Sequence, residues 1–109
     1  MIQIPEHESF YVHEASSTYF GFMREENIED IETFYDEIAK ALCFPAYFGK
    51  NLDALEDMLN DLEWIPYQYI FLIVRSTNSL SISLDEHFDG LMDVLSDVSN
   101  EKFEMIMIE

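Results

Sequence analysis

Between Tyr69 and Arg75 the chain runs YIFLIVR, rich in aromatic and β-branched side chains and apolar on both faces a strand would present. A strand of that kind belongs at the centre of a sheet covered by helices. Its neighbours must come from elsewhere in the chain. Thr18 to Arg24 (TYFGFMR) and Lys102 to Glu109 (KFEMIMIE) have the same β-prone character.

Three other stretches carry apolar residues at helical spacing. The first runs from about 28 to 42, with Ile28, Ile31, Phe34, Tyr35, Ile38, Ala41 and Leu42 on one stripe. Asn27 is its predicted cap, with Asp30 three residues on. Phe44-Pro45-Ala46 is its predicted stop, because the residue before a proline is biased out of the helical region. The second stripe is Leu52, Leu55, Met58, Leu59 and Leu62, capped by Asn51. After a polar, loop-like stretch from Ser76 to Ser83, a capping box of Ser83 and Glu86 opens the third. It continues through Leu84, Phe88, Leu91, Met92, Leu95 and Val98.

The resulting order, β–α–α–β–α–β, predicts an α/β fold: a small three-stranded parallel sheet with right-handed crossovers and helices packed on it. Residues 18–109 form this domain. In Met1 to Ser17, Ile2, Ile4, Phe10 and Val12 alternate with polar residues, while Pro5 and the Glu6-His7-Glu8 run interrupt any long strand. The segment is either an added edge strand or an arm over the domain, and a short strand within it is expected.

Charge narrows the partners. The 109 residues include 5 basic and 23 acidic ones, a formal charge of −18, well beyond the magnitude of about 2–8 that keeps a small domain soluble. Such a field favours cationic partners and repels free nucleic acid and anionic membrane. No apolar run approaches the ~20 residues that span a bilayer. The start MIQIPEHESF lacks a basic n-region and an apolar core, so a cytoplasmic protein is expected. Cys43 is the single cysteine and, between Leu42 and Phe44, reads as a small buried hydrophobe.

Catalytic and metal chemistry finds little support. His7, His13 and His87 lie apart, and His-x5-His has no useful specificity for a metal. Asp85-Glu86-His87-Phe88-Asp89-Gly90 lacks the alternating carboxylates of a calcium loop. There is no glycine-rich phosphate loop and no nucleophile motif. The expectation is a protein that is not an enzyme and that uses no metal or cofactor.

The informative surface is the outer face of the second helix. Asp53, Glu56, Asp57 and Asn60 fall at i, i+3, i+4 and i+7. Like charges at such spacings destabilise a helix by roughly 0.2–0.5 kcal/mol per pair, and only Asp53 sits well against the helix dipole. An acidic face that costs stability invites a basic partner. In the loop before it, Tyr47 and Phe48 adjoin Gly49, which is expected to supply backbone freedom where the chain turns sharply. Two adjacent aromatics there are hard to bury together, so one ring should be exposed. We expect that ring to be Tyr47, with Leu52, Leu55, Leu59 and Ile73 buried.

Tyr47-Phe48-Gly49, then Asn51-Leu52-Asp53-Ala54-Leu55, then Asp57, resembles the barstar family of ribonuclease inhibitors. In that family a tyrosine-rich loop and the following acidic helix plug the active site of a secreted bacterial ribonuclease. The family's element order extends the resemblance over about Thr18 to Glu109. It implies that this chain acts as an immunity protein in a 1:1 complex with a basic ribonuclease or nuclease toxin domain.

The resemblance also assigns roles. Asp57 would accept bidentate hydrogen bonds from guanidinium groups where a substrate phosphate would sit. Asp53 would take hydrogen bonds at the rim. Tyr47 would stack on the catalytic imidazole or fill the base-binding slot. Asn51 is either a contact or simply the helix cap. Asp97 falls where an inhibitory glutamate commonly sits, and Glu101 near a more peripheral acidic contact. Glu56 stands where an aromatic is common and Lys50 where an acidic or small residue is, so the partner should differ in that pocket. The rival expectation is an acidic adaptor or nucleic-acid mimic that binds a basic non-nuclease protein.

Overall fold

In the computed structural model, which describes residues 9–75 and 77–108, the central position of YIFLIVR is realised as strand β3 (Tyr69–Arg75). It lies between β2 (Thr18–Met23) and β4 (Phe103–Ile108), parallel to both, with Ile70 opposite Tyr19 on one side and Phe103 on the other. β1 (Phe10–His13) pairs antiparallel with the outer side of β2, Tyr11 opposite Phe20. The sheet order is β1-β2-β3-β4. The expected parallel core is therefore present, and the strand expected within residues 1–17 is β1. Ile2, Ile4 and Pro5 lie outside the described residues.

Parallel strands that are neighbours in both sequence and space, joined by right-handed crossovers, send every crossover to the same side. The buried side chains sort accordingly. Tyr19, Met23, Ile70, Leu72, Val74 and Phe103 share one cluster with the inward residues of all the helices. The opposite sheet face carries a separate cluster of Phe20, Phe22 and Ile73, with Tyr11 and Phe71 against it. Tyr11, Phe20 and Phe71 stack across three strands at centroid spacings of 6.1 and 5.6 Å.

Helix α1 (Ile31–Ala41) begins later than expected, because Asp30 rather than Asn27 caps it. The Asp30 carboxylate accepts from Thr33 N at 2.9 Å, and Thr33 Oγ1 accepts from Asp30 N at 3.0 Å. This reciprocal pair satisfies two otherwise orphaned N–H groups. Asn27 instead closes a short 3₁₀ turn. The helix ends four residues before Pro45: Cys43 takes a left-handed conformation, φ 52°, and Phe44 N donates to Ala39 O at 2.9 Å. That turn satisfies the Ala39 carbonyl without help from the proline. It also turns Cys43 outward, so the cysteine is exposed and not the buried hydrophobe expected.

α1 lies close on β2. A Cβ at Gly21 would stand 2.8 Å from Ala41 O, and the Tyr19 hydroxyl donates to that same oxygen. Burial, reinforced by the Cys43 thiol, pushes the Tyr19 phenol well above the usual range.

The third helical region is two helices rather than one. α3 (Thr77–Leu84) occupies most of the stretch expected to be loop, a 3₁₀ turn spans Asp85–His87, and α4 (Phe88–Ser96) follows. Ser83 is thus inside α3 and caps nothing. The serines around them conceal the signal, but Leu80 and Leu84, four apart, are both buried. Docking of that short stripe outweighs weak intrinsic propensity. The break falls at Asp85, which is left-handed at φ 49°.

Candidate functional site

Helix α2 (Leu52–Asp61) forms because Asn51 caps it and an apolar stripe docks it. Asn51 Oδ1 accepts from Ala54 N at 2.8 Å, so the cap role is realised. Leu55, Met58 and Leu59 are buried, whereas Leu52 is 42% exposed and departs from expectation. It is the first residue of the helix, and a Cβ built at Gly90 of α4 would touch its Cδ1 at 3.6 Å.

The opposite face holds Asp53, Glu56 and Asp57, all exposed. None of the ion pairs found among the described residues engages them. Lys50, just before the helix in sequence, and Lys102, distant in sequence but at its far end, are both engaged elsewhere. Lys50 Nζ lies 2.7 Å from Asp36 Oδ1 on α1, and Lys102 Nζ donates to Leu62 O at 3.2 Å.

The loop from Pro45 to Lys50 divides its two aromatics. Phe48 turns inward, edge-on to Tyr35 at 5.8 Å and to Phe44 at 4.8 Å. Phe44 in turn meets Trp64, whose indole N–H donates to Leu42 O at 2.9 Å. Tyr47 points away from this aromatic packing and is 72% exposed. Ile73 is buried, as expected. Gly49 is not the sharp turn: its φ is negative, and the left-handed residue is Lys50 at φ 52°. A Cβ at Gly49 would meet Asn51 Nδ2 at 3.4 Å and Ala54 Cβ at 3.5 Å, ordinary contacts.

At the far end of α2 the structure brings in the segment around Asp97 and Glu101. Asp97 closes α4 through its N–H to Asp93 O, and both acids are exposed. Ser99 N donates to Asn60 Oδ1 at 3.1 Å. Asn100 Nδ2 lies within 3.4 Å of the carbonyl oxygens of Leu59, Asn60 and Asp61. Lys102 adds its ammonium to Leu62 O and Ile65 O. A helix with no basic residue in its own last turn thereby receives a cation and an amide at its negative end. Asn60, Asn100 and Lys102 join the two acidic segments. Spacing placed Asn60 on the outer face of the second helix but gave no sign of its tie to Ser99, and it singled out neither Asn100 nor Lys102, since contacts across some 40 positions leave no local trace.

Tyr47 and Asn51 thus stand at one end of a helix about 15 Å long, Asp53, Glu56 and Asp57 along it, and the Asp97–Glu101 segment at the other. The surface offers carboxylate acceptors and one aromatic ring, which suits guanidinium and ammonium groups.

A sequence model described as "Barstar (barnase inhibitor)" matches residues 22–107. The chain belongs to the barstar family. The matched region takes in all of α2 and the loop before it, while β1 lies outside it. Among curated proteins the chain is similar to "Putative ribonuclease inhibitor YrdF" of Bacillus subtilis (strain 168), 29% identical over 75 residues, which cover 69% of this chain and 79% of that relative. No helix among the described residues is long and apolar enough to cross a membrane.

Proposed function

We propose that this barstar-family chain is a protein inhibitor that covers the active site of a basic ribonuclease, with Asp57 at the centre of the contact and Tyr47 beside it. One observation carries the reading: an exposed tyrosine next to a helix whose three outward acids have no cationic partner among the described residues. Acids spaced to repel one another are retained at a cost of a few tenths of a kcal/mol per pair, which a charge-complementary partner would offset.

A ribonuclease must hold phosphates, so its cleft gathers Arg and Lys. Carboxylates aimed into that cleft replace the phosphates, accept charge-assisted hydrogen bonds, and exclude RNA. Asp53 would meet the rim, Asn51 and Gly49 the backbone beside it, and Asp97 with Glu101 a second basic patch. The formal charge of −18 would steer the encounter. The chain would act as a monomer in a 1:1 complex, as the immunity protein of a cell that makes such a toxin.

The test is RNA cleavage by barnase, the ribonuclease in the family's description, titrated with this protein. Stoichiometric inhibition, weakened at least ~30-fold by Asp57→Ala, is the expected result; that size is borrowed from interfacial hot spots as a class, a barstar aspartate being their extreme example. No inhibition at large excess, or inhibition untouched by Asp57→Ala, overturns the proposal.

A further inference from the structure

We infer that Asp36 is a positioning residue for this interface: from α1 it holds the one cation of the Tyr47–Asp57 segment, Lys50, away from the acidic face of α2. The inference rests on the inhibitor reading above.

The segment YFGKNLDALED contains a single basic residue. Lys50 immediately precedes the cap Asn51 and lies three positions before Asp53, with a flexible four-carbon stem that lets its ammonium choose among nearby anions. Left free, it would reach the first turn of α2 and neutralise Asp53 where a basic partner is to dock. At that range, inside the ~8 Å Debye length of physiological salt, its charge would be felt across the site. Instead its ammonium lies 2.7 Å from Asp36 Oδ1, within the range of charge-assisted bonds. The hydrogen bond to Asp36, and after it the Asp36 charge, hold the Lys50 amine above its ordinary value, and Glu32 adds to the attraction.

A pair that merely pins the loop is broken equally from either end. A pair that sequesters a cation is not: removing Asp36 releases a positive charge beside the site, whereas removing Lys50 does not. The experiment compares D36N, K50Q and the double variant in the full chain, with Asp57→Ala alongside, measuring affinity for barnase at 0.05 M salt. D36N should weaken binding about threefold, the scale of an exposed ion pair, K50Q should not weaken it, and D36N should have little effect in the K50Q background. Equal losses from the two single variants, or a D36N loss that persists in the K50Q background, overturn the inference. If Asp57→Ala is inert, the inhibitor reading fails; if Asp57→Ala weakens binding and D36N does not, the positioning role fails. A partner-free measurement completes the test. Acylation of Lys50 by an acetylating reagent, followed by peptide mass spectrometry, should speed up severalfold in D36N, and an unchanged rate overturns the inference.

Discussion

The side-chain amide of Asn100 donates to the carbonyl oxygen of Leu59 across 3.2 Å, tying the segment before β4 to the last turn of α2. Because the same amide also approaches Asn60 O and Asp61 O, one residue serves several helix-terminal carbonyls that would otherwise depend on water. Asn100→Ala should lower unfolding free energy by roughly 1–2 kcal/mol, read from the urea midpoint. A change below a few tenths would mean that solvent replaces those bonds at no cost.

Tyr47 separates surface from core. Tyr47→Ala should leave stability within about 0.5 kcal/mol of the parent while weakening ribonuclease inhibition. Leu55→Ala, in contrast, should cost about 2–5 kcal/mol through the cavity it leaves. Thermal melts and an inhibition titration on both variants decide this. A Tyr47→Ala variant that melts like Leu55→Ala would make the ring a core residue.

Asp57→Ala should behave unlike either. It removes repulsion with Asp53 and replaces Asp by a better helix former, so the free protein should be as stable as the parent or a few tenths of a kcal/mol more so. Denaturant titration of the free protein would expose a structural partner for Asp57 if stability instead fell by about 1 kcal/mol or more, beyond what a surface substitution brings.

The two glycines on either side of α1 should respond differently to a methyl group. At Gly21 the added Cβ meets Ala41 O at 2.8 Å, so Gly21→Ala should destabilise by about 1–3 kcal/mol as sheet and helix are forced apart. At Gly49 the nearest atoms are at 3.4 and 3.5 Å and the backbone φ is not positive. Gly49→Ala should therefore fold normally, and calorimetry on the pair would reveal equal effects if the packing were otherwise.

Asp30 gives a pH signature. Hydrogen bonds from the Thr33 N–H and hydroxyl lower its pKa from the ordinary 3.8. A carboxyl held lower in the folded than in the unfolded state stabilises the fold above the unfolded value and loses that contribution as pH falls through the folded one. Asp30→Ala should thus melt below the parent at pH 7, and the gap should narrow only under more acid conditions than pH 3.8. Asp30→Asn, which keeps an acceptor but does not titrate, should stay closer to the parent at pH 7. A gap between parent and Asp30→Ala that is constant down to pH 2 would detach the cap from the carboxylate's charge.

The sequence by itself determined what depends on local periodicity and on charge. The two-faced apolar run 69–75 had to be central, the stripe through Leu55 and Leu59 had to dock, and with that stripe inward Asp53, Glu56 and Asp57 had to face out. Of the aromatic pair, one ring had to stay in solvent, and Tyr47 does. Helix limits were less legible. Thr33 draws the cap of α1 to Asp30, and Leu80 with Leu84 makes a docked helix of a serine-rich stretch, because a few buried contacts outweigh small differences in propensity. Only the tertiary structure decided where the cations went. Lys50 reaches Asp36 and Lys102 reaches Leu62 O. These partners lie 14 and 40 positions away, and the folded backbone brings them together, so no sequence window contains them.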